Sequence, residues 1–133
     1  MTVFVCLDDN NGMMFNGRRQ SRDKAVVERV CEISGSSRLY ANLYSSPLFD
    51  GADNLITDDD PMGVSQNGDY CFIENLSLKD YLHKIEKIII YRWNRKYPSD
   101  FKFDVDVSSW KYESRFEFKG NSHDLITEEV YTK

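Results

Sequence analysis

Apolar residues along this chain follow three rhythms, and each predicts a different kind of element. Lys87–Trp93 (KIIIYRW) is a short continuous apolar run bounded by turn signals, the pattern of a strand dry on both faces. Thr2–Leu7 (TVFVCL) reads the same way. Phe101–Val107 alternates apolar and acidic or basic residues, as a half-exposed extended segment does. Trp110–Phe118 follows as a strand with mixed faces, and Leu125–Tyr131 as a final strand, with a short helix as the alternative because of Glu128 and Glu129.

A helical spacing of about 3.6 places Ala25, Val26, Val27, Val30, Cys31 and Ile33 on one face and predicts a helix from Ser21 or Arg22 to Ser34. Ser21 is the expected N-cap, Asp23 suits the first turn, and Gly35 ends the helix. A second, short helix is predicted after Ser77, with Leu78, Tyr81, Leu82 and Ile85 on one side. Arg38–Ala41, Asn54–Thr57 and Asp69–Glu74 are short strands, and Tyr44–Phe49 opens a helical turn at Pro47. Asp8–Gly12 and Asn16–Gly17 are turns, where Asn-Gly adopts positive φ at little cost. Asp58–Gly68 reads as a polar loop.

Strand, helix, strand, short helix, strand predicts a single α/β domain over residues 1–133. Its sheet is mixed and mostly parallel, with the first strand parallel to the central Lys87–Trp93 strand and a C-terminal antiparallel hairpin. Helices are expected on both flanks of the isoleucine run. The length is enough to bury a core without staples.

Composition narrows the picture. The net charge is −5, so the overall field does not favour duplex nucleic acid or acidic membranes. Cys6, Cys31 and Cys71 lack CxxC spacing and read as reduced thiols of a cytoplasmic protein. No signal-peptide layout or membrane span is visible. His83 and His123 are the only histidines, with no ligand spacing around them, so no metal site is expected. Ser122-His123-Asp124 is not a triad, because triad members meet in space rather than in sequence.

Two segments concentrate basic and aromatic groups. Arg18, Arg19 and Arg22 precede a helix start, an arrangement suited to an anion; the alternative is a solvated face paired with Asp8, Asp9 or Glu28. Arg92, Trp93, Arg95 and Tyr97 follow the apolar strand, and ligands of open α/β sheets bind beyond strand carboxyl ends. A base could stack there on Trp93 or Tyr97; the alternative is Trp93 in the core with the charges at its rim.

The region from Ile85 onward resembles dihydrofolate reductase. A buried strand follows a short helix, Asp100-Phe-Lys-Phe-Asp104 matches an acidic-aromatic stretch, and Trp110 opens the next strand. The first strand, Asp8–Gly12 and Asn16–Gly17 resemble the same family. The resemblance implies that fold and, in an active member, NADPH-dependent reduction of a pterin-like substrate. The departures lie at the chemistry. Gln20 and Ser21 stand where the family has a Pro-Trp pair. The position matching its helix carboxylate is nearer Val26, flanked by Asp23 and Glu28, the two candidate acids if the chain is a reductase. Its phosphate-binding Gly-Gly pair is missing from Glu74-Asn-Leu-Ser77.

These features predict a reduced dihydrofolate-reductase-like protein without reductase activity or cofactor. It would bind a small anionic or nucleotide-like ligand, or a protein partner, through Arg18, Arg19, Arg22, Arg92, Trp93, Arg95 and Tyr97. The alternatives are an active NADPH-dependent reductase and an acidic inhibitor or adaptor working through protein contacts.

Overall fold

The computed structural model describes all residues from Met1 to Lys133. Its main sheet is built on β1 (Thr2–Leu7) and β7 (Lys87–Arg92), which run parallel with Val5 opposite Ile90. On one side of this pair lie β6 (Tyr70–Phe72), β4 (Leu39–Ala41) and β5 (Leu55–Thr57), all parallel. On the other side lie the antiparallel β10 (Ile126–Thr132) and β9 (Lys111–Phe118), the C-terminal hairpin. The order is β5-β4-β6-β1-β7-β10-β9. A small second sheet, β3-β2-β8, joins Arg18–Arg19 and Gly12–Phe15 to Phe101–Lys102.

The isoleucine run is interior on both faces: Ile88 and Ile90 are 0% exposed and Ile89 3%. Burying each such side chain stabilises by roughly 1.5–3 kcal/mol. Phe4, Ile89, Tyr91 and Trp93 pack with Val26 and Val30 of helix α1 (Lys24–Ser34). Val3, Val5, Leu7, Ile88 and Ile90 face the other way, against Met13, Met14, Met62, Leu78 and Val105. That second flank corrects the expectation of helices on both sides. Its cover is the small sheet, the short helix α2 (Pro61–Val64) and a 3-10 turn at Lys79–Lys84.

Other local expectations change as well. The cap of α1 is Asp23, whose carboxylate accepts from the Ala25 N–H, and not Ser21. Gly35 does end the helix, with φ of 57° and its N–H on the Cys31 carbonyl. The polar loop Asp58–Gly68 contains α2, capped by Asp60, with Met62 buried. The element after Ser77 is 3-10 rather than α. Phe101–Val107 keeps its alternation of burial, but only Phe101–Lys102 pairs, and with β2 rather than the main sheet. Leu125–Tyr131 resolves to strand. The three cysteines are free thiols; Cys71 is buried, and burial pushes its pKa up to about 11. No helix is long and apolar enough to cross a membrane.

Candidate functional site

The carboxyl ends of β1, β6 and β7 and the N-terminus of α1 converge on one rim, where open α/β sheets place ligands. Asp8, just past β1, organises it. The residue is fully buried, and its carboxylate accepts from the N–H groups of Asn10, Gly12 and Tyr97 at 2.9, 2.7 and 3.0 Å. Burial alone would raise its pKa, but these N–H donors, with the Gln20 side chain, hold it below the usual carboxylate range. One carboxylate thus ties the Gly12 turn to the loop after β7. Gly12 is obligatory in this packing, since a Cβ there would lie 2.4 Å from the Gln20 amide nitrogen and 2.6 Å from the Ser99 Cβ.

At the centre of the rim Arg19 and Glu74 form a two-point ion pair, 2.8 and 2.9 Å. Glu74 is buried and also accepts from the Ser45 hydroxyl at 2.7 Å. The Arg19 guanidinium stacks on the Tyr44 ring at 4.5 Å, and its backbone N–H donates to the Tyr44 hydroxyl. A bidentate pair with every partner satisfied is the stable form of a buried charge. Only about 10 Å³ of space remains among Cys6, Ser21, Asp23, Val26, Phe72, Glu74 and Trp93. That is near the size of a single water and far below that of a planar ring ligand. The Cys6 thiol at this spot is pushed well up, first by burial and then by the Glu74 charge.

Beside this plug lies a buried relay. The Asp23 carboxylate, besides capping α1, accepts from the N–H groups of Asn121 and Ser122, each at 2.7 Å, and meets His123 Nδ1 at 2.9 Å. Burial would raise the Asp23 pKa, but the His123 contact and the three N–H donors outweigh it and hold it low. His123 Nε2 faces the Ser21 hydroxyl at 3.2 Å and the Tyr97 hydroxyl at 3.0 Å, and its ring stacks on Trp93 at 4.6 Å. Ser21, His123 and Asp23 have the connectivity of a nucleophile, base and orienting acid. Tyr97 competes for the same nitrogen, and the space against Ser21 is the 10 Å³ remnant. The relay therefore works as a latch, fastening the Lys119–Asp124 loop and the Tyr97 loop to the start of α1. Gly120 completes it: a Cβ there would lie 2.6 Å from the Asp23 carboxylate.

Open space lies outside the plug. A cleft of about 540 Å³ is lined by Phe15, Asn16, Arg18, Arg19, Gln20, Tyr97 and Pro98. It joins the two basic-aromatic segments: Arg18 and Arg19 come from the β2–β3 hairpin, Tyr97 from the loop after β7. Arg18 is exposed and makes no ion pair; Arg95 is exposed over the Tyr97 ring, 5.6 Å from its centroid, and does not line the cleft. The remaining candidates lie elsewhere. Arg92 is held by Glu129 at 3.0 Å and by the Asn11 side chain. Trp93 is 4% exposed, in the core. Arg22 borders a separate depression of about 310 Å³ with Lys24, Asn121 and Ser122. Glu28 is exposed on the outer side of α1. Asp23 is the buried cap and latch, with its oxygens committed to four donors.

Sequence reasoning missed Asp8, Tyr44, Ser45, Glu74 and His123 as rim-builders. Arg19 and Glu74 lie 55 residues apart and Asp23 and His123 100, so no local spacing signals those pairs; Asp8 has local partners in Asn10 and Gly12, but its tie to Tyr97 spans 89 residues. The one legible hint was Asp23 directly before a helical apolar face.

No protein-family model matches the chain, and a comparison with curated proteins finds no match. Solved structures do match. A dihydrofolate reductase from Enterococcus faecalis, complexed with NADP(H) and RAB-propyl, aligns with a TM-score of 0.70 at 11% sequence identity. The alignment covers 98% of this chain and 94% of that one. The chain has a dihydrofolate-reductase-like fold. At this identity the likeness concerns the path of the backbone. At the carboxyl rim of its sheet this chain holds the Arg19–Glu74 ion pair and the Asp23–His123 contact.

Proposed function

We propose that this protein is a dihydrofolate-reductase-like binding protein without reductase activity. Its ligand is a small anionic, nucleotide-like molecule held in the outer cleft. The observation that carries the reading is the meeting of Arg18, Phe15 and Tyr97 around open space while Arg19 and Glu74 close the deeper site. An unpaired guanidinium suits a phosphate or carboxylate, and Phe15, 40% exposed, with Tyr97 offers rings against which a base can stack. The similar structure is described with NADP(H), which makes a nucleotide-like ligand a natural class to test. The residues of this chain do not fit NADPH in the reductase manner. Ile73–Ser77 lacks glycine, and Glu74 places a carboxylate where backbone N–H groups would have to cradle phosphate.

The experiment is calorimetric titration with NADPH, dihydrofolate and a set of nucleoside 5′-phosphates, alongside an assay for NADPH oxidation. A nucleoside phosphate is expected to bind, Arg18→Glu to weaken it by at least about tenfold, and NADPH oxidation with dihydrofolate to be absent. Turnover of NADPH would establish the reductase reading instead. Binding indifferent to Arg18→Glu would remove the cleft from the account.

A further inference from the structure

The seven-stranded sheet ends on β9 with nothing beyond it. Strand β9 is eight residues long, contains neither proline nor glycine, and is exposed from Lys111 to Glu117, with Phe116 47% and Tyr112 49% accessible. Edge strands that must stay single are shortened, twisted away or interrupted by proline. Here proline and shortening are missing, and two devices are present: the charged side chains of Lys111, Glu113, Arg115 and Glu117, and a bulge. Val130 pairs with Ser114 and Tyr131 with Tyr112, so Glu113 is an extra residue, a bulge that interrupts the strand near its start. From Ser114 to Phe118 the ladder with β10 is regular.

We propose that this open edge pairs antiparallel with the same edge of a second copy, about a two-fold axis through Phe116. The pairing would set Arg115, which already pairs with Glu117 of its own strand at 2.5 Å, opposite Glu117 of the other copy as well, twice by symmetry, with Phe116 opposite its equivalent and Ser114 opposite Phe118. Opposite charges and aromatic pairs directly across antiparallel strands are both favourable, and a closed two-fold interface uses one patch on both copies. The register follows from the bulge. By sequence alone, Lys111-Tyr-Glu-Ser-Arg-Phe-Glu117 is also self-complementary about Ser114, which would pair Arg115 with Glu113 and Tyr112 with Phe116. The bulge forbids that solution. Phe116 lies under the Arg29 guanidinium at 4.9 Å, on the α1 face, whereas Tyr112 rests on Tyr131 on the opposite face. Residues paired across strands share a face, so Tyr112 cannot meet Phe116, while Ser114–Phe118 can meet itself.

Sedimentation equilibrium with charge-swapped variants tests both the partner and the register. The wild type is expected to sediment as a species of twice the chain mass. Arg115→Glu and Glu117→Arg should each weaken association by about tenfold or more, since each turns two attractive pairs into two repulsive ones. The double variant R115E/E117R should recover most of it. Both side chains are exposed, and unchanged circular dichroism confirms that the variants fold. A wild type that stays monomeric at high concentration overturns the proposal. So do single reversals that behave as wild type, or rescue by R115E/E113R in place of R115E/E117R.

Discussion

Strands β7 and β9 lie two places apart in one sheet, separated only by β10, yet their environments are opposite. Ile88–Tyr91 is dry on both faces, whereas Lys111–Glu117 is wet on both. The difference comes from what reaches each strand. Helix α1 covers β7 from one side, and Met13, Met14, Leu78 and Val105 from the other. Neither layer covers Lys111–Glu117, which receives the Arg29 guanidinium on Phe116 and Tyr131 against Tyr112; Phe118, at the end of β9, reaches the core edge-on to Tyr91 at 6.3 Å. The lesson is that place in the sheet order, more than strand propensity, decides whether a strand carries the core or offers a surface.

Truncation sharpens this contrast most strongly. Ile90→Ala should cost about 2–5 kcal/mol in denaturant unfolding, from lost transfer energy plus a cavity, whereas Phe116→Ala in the monomer should stay within about 0.5 kcal/mol. Equal costs would mean that β9 is covered in solution.

The latch ranks next. Asp23→Asn replaces a buried charge whose four donors favour the ionised form, and should destabilise by about 3 kcal/mol at neutral pH. The sign of the pH dependence follows from the lowered pKa. The folded carboxylate titrates below its unfolded value near 3.9, so its stabilisation is fully present above about pH 4. It is lost as pH falls through the folded pKa, and the wild-type and Asp23→Asn stability curves should converge there. Asp8, lowered by similar contacts, shares this acid window. A constant gap between the two curves down to pH 2, roughly, would show that the charge is not the source of the effect.

A smaller effect is expected at the plug. Glu74→Gln keeps the shape but removes the charge facing Arg19, and should cost about 1–3 kcal/mol. Replacement of both partners by apolar residues of similar size should recover part of that loss and open the deep site to ring-shaped ligands. Unchanged stability in Glu74→Gln would assign Arg19 to the outer cleft alone.

Much of the fold was legible because its signal is local. The unbroken apolar runs in Thr2–Leu7 and Lys87–Trp93 name the two innermost parallel strands, and the 3.6 spacing names α1. The second flank was only partly legible. Val105 lies in an alternation that was visible, but Met62 belongs to a short Pro-Met-Gly-Val segment inside the otherwise polar Asp58–Gly68 stretch and acquires an inside only once the chain has folded over the sheet. The site was half legible. Arg18, Arg19 and Tyr97 were anticipated and do meet, because an exposed basic-aromatic hairpin and the loop after a parallel strand both gather at the carboxyl rim. Of the two readings of Trp93, the core one holds: it is the floor under His123, while Arg92 is held by Glu129. Those outcomes depend on His123 and Glu129, whose positions no spacing near residue 92 reveals.

Under the proposed function, the ligand sits in the cleft beside Arg18 while the Arg19–Glu74 pair keeps the deeper site closed. Amide chemical-shift mapping during titration with a nucleoside 5′-phosphate separates the two sites. The account predicts that shifts concentrate at Phe15, Arg18, Gln20 and Tyr97 and leave Cys6, Phe72 and Trp93 in place. Shifts centred on Cys6, Phe72 and Trp93 would show that the plug opens to ligand and would contradict the account.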